Sequence, residues 1–150
     1  FAGRAKAGDA VIIRFEGPRG SGMPEQFYVT KTISSDPELS KTMVLITDGR
    51  FSGASGGPAV CHVCPEAAQG GPIGALRDGD WIEVDVDAKT IDMVGDGERR
   101  FAPEEGAKIL AQRLIDDPPV PPEKNDWPLL RLYTGLATSA AEGATMAMPD

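Results

Sequence analysis

The stretch DGDWIEVDVDAKTIDMV (residues 78–94) decides the fold class. Trp81, Glu83, Asp85 and Asp87 fall on one parity, and Ile82, Val84 and Val86 on the other. Side chains alternate across a strand with a period of two, so the pattern predicts a half-buried strand. Residues 89–94 then form its hairpin partner across DVDAK. The carboxylates of the stretch read as a solvated strand face, since they lack the glycine and terminal glutamate of a calcium loop.

Outward from the hairpin the signals are shorter. GDAVIIRFEG (residues 8–17) reads as a strand over 11–15, launched from a Gly-Asp turn and stopped by EGPRGSG. TMVLI (residues 42–46) is a continuous apolar run, read as a buried strand that ends at Asp48. QFYVTKTI (residues 26–33) fits a strand or a short helix, and Asp36-Pro37 marks a turn or a helix start. Residues 65–68 open a short helix with Glu66 near its positive end. Residues 103–115 form the clearest helix: Pro103 occupies the first turn, Glu104 and Glu105 follow, and Ala107, Leu110, Ala111 and Leu114 share a face. DDPPVPPEKNDWP (residues 116–128) ends regular structure, because proline withdraws backbone donors and fixes φ. The tail over 129–150 has weak helical signal and reads as a segment that docks on a partner or on another part of the protein.

The sum is a β-rich α+β domain, with its core in residues 1–102 and a helix, Pro-rich segment and tail in 103–150. A chain of 150 residues suits one domain with a real core. Its 23 acidic against 15 basic residues leave a net charge of -8, which argues against nucleic acid and anionic membranes as partners. No apolar run reaches bilayer length and no signal peptide opens the chain. The sequence starts at Phe1 in mid-pattern, without Met, and reads as a piece of something longer. Two cysteines three positions apart are not a secreted disulfide framework, so a reducing cytoplasm is the default.

Chemistry concentrates between residues 45 and 71. Cys61 and Cys64 could hold half of a zinc or iron–sulfur site or act as a redox pair, but no second Cys/His pair exists to complete a metal site. Packing as small buried side chains is the favoured reading. His62, the single histidine, reads as a hydrogen-bonded structural residue. GPRGSG (residues 17–22) and SGASGG (residues 52–57) match no nucleotide-binding fingerprint and read as turns able to cradle an anion. Ser52 follows a buried strand and is flanked by Gly49, Gly53, Gly56 and Gly57, which together expose a hydroxyl at a strand end. Glu25 on its own reads as a solvated loop carboxylate.

Three long motifs go further. RFEGPRGSGMPE (residues 14–25), LITDGRFSGASG (residues 45–56) and HVCPEAAQGGPIGALRDGDWIEVD (residues 62–85) resemble, in order and spacing, the C-terminal domain of the IlvD/Edd dehydratases. The resemblance covers residues 9–90 well and the rest loosely. It implies a swivelling, barrel-like β-rich domain, as in the mobile domain of aconitase-type enzymes. It also implies a larger N-terminal partner domain that holds an iron–sulfur cluster ([2Fe-2S] or [4Fe-4S]) and most of the Mg2+ ligands, which leaves Cys61 and Cys64 outside the cluster. By position in the motifs, Ser52 corresponds to the proton-abstracting base, Glu25 to a magnesium ligand, and Ser55 to a substrate-contacting hydroxyl.

The implied reaction removes water from a 2,3-dihydroxy acid to give a 2-keto-3-deoxy acid. Magnesium and a cluster iron would act as Lewis acids on the substrate, and adjacent cations would stabilise the Ser52 alkoxide. The branch expected is the sugar-acid one, on a pentonate or xylonate-like substrate, in a cytoplasmic homo-oligomer. Alternatives are the branched-chain dihydroxyacid and phosphogluconate dehydratases; the last needs a basic cluster, for which Arg14, Arg19, Lys31 and Arg50 are candidates. In a further alternative the isolated chain is an inactive docking module.

Overall fold

Four apolar residues in succession form β1 (Ala10–Ile13), and VLIT forms β2 (Val44–Thr47) beside it. The computed structural model describes residues 5–53, 55–123 and 127–147. β1 and β2 are parallel, with Ala10 opposite Val44 and Ile13 opposite Thr47. A two-residue strand, β3 (Ala59–Val60), pairs in parallel on the far side of β2, giving the order β1-β2-β3. β1 stops at Ile13, two residues before the end expected from sequence. Phe15 takes φ +64, which leaves the strand conformation, and its N–H turns to Asp48.

Successive side chains of this small sheet enter two different cores, which is why the strands read as unbroken apolar runs. Ile46 packs with Phe15, Ala67 and Ile73 on one face, joined by Ile12, Ile82 and Val84. Leu45 packs with Ile33 and Met43 on the other, joined by Val11, Ile13 and Leu39. That second face is covered by α2 (Phe27–Ser34) and α3 (Leu39–Thr42), which follow the one-turn α1 (Pro18–Ser21). The ambiguous segment QFYVTKTI is thus a helix. Val29 and Ile33, four residues apart, face the sheet while Phe27 and Tyr28 face solvent.

The hairpin forms as its alternation requires: β4 (Trp81–Asp85) and β5 (Thr90–Gly95) are antiparallel, with Ile82 opposite Met93 and Val84 opposite Ile91. The inward parity ends one residue early. Val86 lies in the turn and is 81% exposed, because the Asp85 side chain accepts from Ala88 N (2.8 Å) and bends the chain there. α4 (Pro103–Asp116) lies on β5, so closely at Gly106 that a Cβ would overlap the Met93 carbonyl. Ala75, Met93 and Leu110 form the core between them.

Two expectations fail here. The strands described make two open sheets and no closed barrel; the domain is a mixed α/β fold. The carboxylates of residues 78–87 are not all solvated. Asp80 is 5% exposed at its side chain and binds Arg113 of α4 through two bonds of 2.6 and 3.0 Å. Such a forked pair is read from packing, not from strand parity. The helix α5 (Pro128–Leu136) is better formed than the tail's weak signal suggests, although its exposed Leu129 and Leu132 explain why no buried face was legible. Residues 124–126 of the Pro-rich break and 148–150 of the tail lie outside the described residues. Among the described residues, no helix is long and apolar enough to cross a membrane.

Asp80→Ala strands the Arg113 guanidinium in a nearly dry site. It is expected to cost about 3 kcal/mol in chemical denaturation, the scale of breaking a buried pair; a loss well below 1 kcal/mol would show that water replaces the carboxylate.

Candidate active site

The loops that leave β1 and β2 meet at the C-terminal end of the parallel sheet, the end at which open α/β sheets bind ligands. Asp48 joins them. It has no solvent exposure, and its carboxylate accepts from Phe15 N (3.0 Å), Glu16 N (2.9 Å) and Ala67 N (2.9 Å). Thr47, also fully buried, accepts at Oγ1 from Gly49 N (2.9 Å) and from Gln26 Nε2 (3.1 Å), so the far end of the first loop is clipped to the end of β2. Gly49 is required at this junction: a Cβ there would sit 2.7 Å from Gln26 Nε2 and 2.8 Å from Glu16 O.

This clip places the sequence-selected residues together. Glu25 pairs with Arg50 as a parallel β-bridge, and Arg50 Nε donates to Met23 O (2.7 Å). Paired strands lie about 5 Å apart and two residues span at most about 7 Å, so the Cα atoms of Glu25 and Ser52 are within about 12 Å. Glu25 is exposed and Ser52 half-buried. Ser55 N donates to Ser52 O (3.1 Å), and Ser55 Oγ is buried without a hydrogen-bond partner. Ala54, between them, lies outside the described residues.

Cys61 and Cys64 are both free and exposed, which corrects the expectation of buried packing. They flank His62, whose N–H donates to Gly49 O (3.0 Å), and Val63, whose N–H donates to Thr47 O (3.1 Å). These backbone bonds hold the segment against the end of β2 and turn both thiols outward. Cys64 Sγ donates to His62 O at 3.2 Å. Among the described residues no group of three or more His, Cys, Asp or Glu side chains is arranged to hold a metal.

Three of the four basic candidates are engaged with backbone carbonyls. Arg14 Nη1 donates to the carbonyls of Gly74 and Leu76, and Arg19 Nε to Ala137 O (2.9 Å), while Arg50 serves Met23. Sequence reasoning passed over Asp48 as a strand end and Glu66 as a helix-terminal charge. Glu66 is 1% exposed; its Oε1 accepts from Arg19 N (2.8 Å) and its Oε2 has no partner. Burial pushes its pKa up from the usual 4.5, against the lowering by the Arg19 N–H, and the Asp48 charge adds to the rise. A Cβ at Gly17 would overlap Glu66 Oε2, so the glycine of the first loop admits this carboxyl group. Neither role leaves a mark in hydrophobic periodicity.

Residues 1–144 match the family model for the C-terminal region of dihydroxy-acid/6-phosphogluconate dehydratases. The chain belongs to that dehydratase family. A dihydroxy-acid dehydratase of Solidesulfovibrio magneticus is 46% identical over 151 residues, covering 99% of this chain and 25% of the relative. Those of Nitratidesulfovibrio vulgaris and Oleidesulfovibrio alaskensis are 45% and 44% identical, each over 145 residues and 24% of the relative. This chain therefore spans about a quarter of the length of those relatives. All three are named for a dihydroxy acid, and none for a sugar acid.

A carboxyl group with a raised folded-state pKa favours folding most when protonated. The Glu66 contribution is whole below 4.5 and is lost as pH rises through the folded pKa. Glu66→Gln is therefore expected to gain stability relative to wild type as pH climbs from about 4.5 to 8. Parallel denaturation midpoints across that range would contradict it.

Proposed function

We propose that this chain is the C-terminal domain of a hydro-lyase that dehydrates a 2,3-dihydroxy carboxylic acid to a 2-keto-3-deoxy acid, with Ser52 as the base. The observation that carries the reading is the Glu25–Arg50 bridge, which sets two motif residues on one exposed sheet end. Membership of a dehydratase family supports the reaction class.

The carboxylate of Glu25 is exposed and of the hard oxygen type that Mg2+ prefers. It fits as one ligand of a cation held chiefly by residues outside this chain, since no fuller metal cluster is found among the described residues. An iron–sulfur cluster does not fit in the chain: it takes about four thiolates, and the sequence has two cysteines. Its ligands are assigned to the rest of the protein. When bound, these metals supply Lewis-acid stabilisation of charge on the substrate.

The chain's own work is positional. Ser52 Oγ, as an alkoxide that adjacent cations would stabilise, takes the proton from C2 to become the hydroxyl, while the electron pair forms the C2–C3 double bond and the C3 hydroxyl leaves. The glycines around it let substrate approach the backbone, and the partnerless Ser55 Oγ is suited to a substrate oxygen. Because Asp48 and Thr47 tie both loops to the sheet, Glu25 and Ser52 reach the substrate by movement of the domain as a body. Such a movement would make it a swivelling domain like the mobile one of aconitase-type enzymes, although the described strands close no barrel. The two unpaired thiols support a cytoplasmic location.

On the substrate, the names of the relatives support the dihydroxyacid alternative at least as well as the pentonate expected from sequence. Arg14, Arg19 and Arg50 are each engaged with a backbone carbonyl, which lends no support to a phosphorylated acid. Ser52→Ala in the full-length protein is expected to lower turnover by roughly 10² or more, the scale of a general base; near-normal turnover removes Ser52 from the chemistry. Glu25→Gln is expected to raise the Mg2+ concentration needed for half-maximal activity, and an unchanged titration counts against its role.

A further inference from the structure

Cys61 and Cys64 leave the end of β3 on the same side, and His62 is the reason. Along an unbroken strand, residues three apart point to opposite faces. Here Val60 and Val63 both pack against the core of Phe15, Ile46, Ala67 and Ile73. His62 takes φ +58, in the left-handed region, and so inserts one extra residue into the extended path, as a bulge does. The shift of parity turns Cys61 and Cys64, the successors of those two valines, to solvent together.

The spacing suits a bond between the two sulfurs. Three extended residues span at most about 10 Å, and a left-handed residue among them shortens that span. A disulfide closes when the Cα atoms come within about 7 Å. The Cys64 thiol already folds back along the chain, donating from Sγ to His62 O at 3.2 Å. Among the described residues, no third His, Cys, Asp or Glu side chain joins the pair to hold a metal, which leaves two-electron sulfur chemistry.

We propose that Cys61 and Cys64 form a reversible dithiol–disulfide site, oxidised by small disulfides of the glutathione class. The Cys61 thiolate attacks one sulfur of glutathione disulfide, whose S–S bond breaks; one glutathione thiolate leaves and takes up a proton. The Cys64 thiolate then attacks the Cys61 sulfur of the mixed disulfide, and the second glutathione leaves. The pair gives up two protons and two electrons, and the reagent is reduced to two thiols. Cys61 acts first because the Cys64 thiol is engaged with His62 O. In a reducing compartment the pair rests as the dithiol, and disulfides there are usually transient and redox-sensing. This inference rests on the placement of the thiols, not on the proposed reaction.

The test exposes the folded full-length protein to glutathione disulfide under anaerobic conditions, traps remaining thiols and maps the tryptic peptide 51–77, which carries both cysteines. The wild-type peptide is expected to lose two hydrogen atoms and to regain them with dithiothreitol. Cys64→Ser, a near-isosteric change at an exposed position, is expected to stop at one glutathione on Cys61. With free glutathione held near about 10 μM, the wild-type mixed disulfide is expected to resolve roughly 100-fold faster than that of the variant, because an intramolecular thiol acts at about millimolar effective concentration. Two thiols that stay unreacted in the folded protein, while the denatured protein oxidises, overturn the proposal. So does a wild-type peptide that keeps one or two glutathiones without closing. None of these readouts depends on Ser52 being the base.

Discussion

The carboxylate of Asp48, sealed from water, is satisfied by three backbone N–H groups drawn from two distant parts of the chain. A buried anion is tolerable when such donors replace its hydration. These donors come from Phe15 and Glu16, where the chain leaves β1, and from Ala67, where a 3₁₀ turn (Ala67–Gln69) begins. The group therefore ends β1, starts the path of the glycine loop and fixes the covering turn over Ile46. Thr47 adds the clip to Gln26 next door. The exposed sheet end, with Glu25 on one loop and Ser52 on the other, inherits its geometry from these two neighbours in sequence.

Much of the scaffold is legible in the chain because periodicity reports burial. The hairpin alternates, α4 repeats at helical spacing after Pro103, and β2 is a continuous apolar run between two covered faces. What periodicity cannot report is pairing between distant polar groups. Asp80 stands in a run of solvated acids and looks like one of them, yet Arg113 of α4 draws it inside. QFYVTKTI is short enough to suit two structures, and only the position of Ile33 against Leu45 decides for the helix. The barrel expected by resemblance needs strands that the described residues do not supply.

The site divides the same way. Ser52 and Glu25 were selected by their places in long motifs, and the Glu25–Arg50 bridge brings those motifs to one edge. The cysteines misled because a Cys-x-x-Cys within PAVCHVCPEA looks apolar, whereas backbone bonds from His62 and Val63 to the end of β2 leave both thiols outside. Glu66 shows the converse. It belongs to the same motif run, and its burial beneath Gly17 could not be read from its neighbours in sequence.

The placement of those thiols has a practical outcome for anyone handling the molecule. Both sulfurs face solvent on a strip of backbone hydrogen-bonded to Gly49 and Thr47, the floor beneath the serine turn. Air, peroxide or alkylating reagents reach them without unfolding anything. An adduct there adds bulk and charge a few residues from the sheet end while the Asp48 contacts stay intact. Preparations of this chain kept without reductant are expected to show altered intact mass before any change in stability.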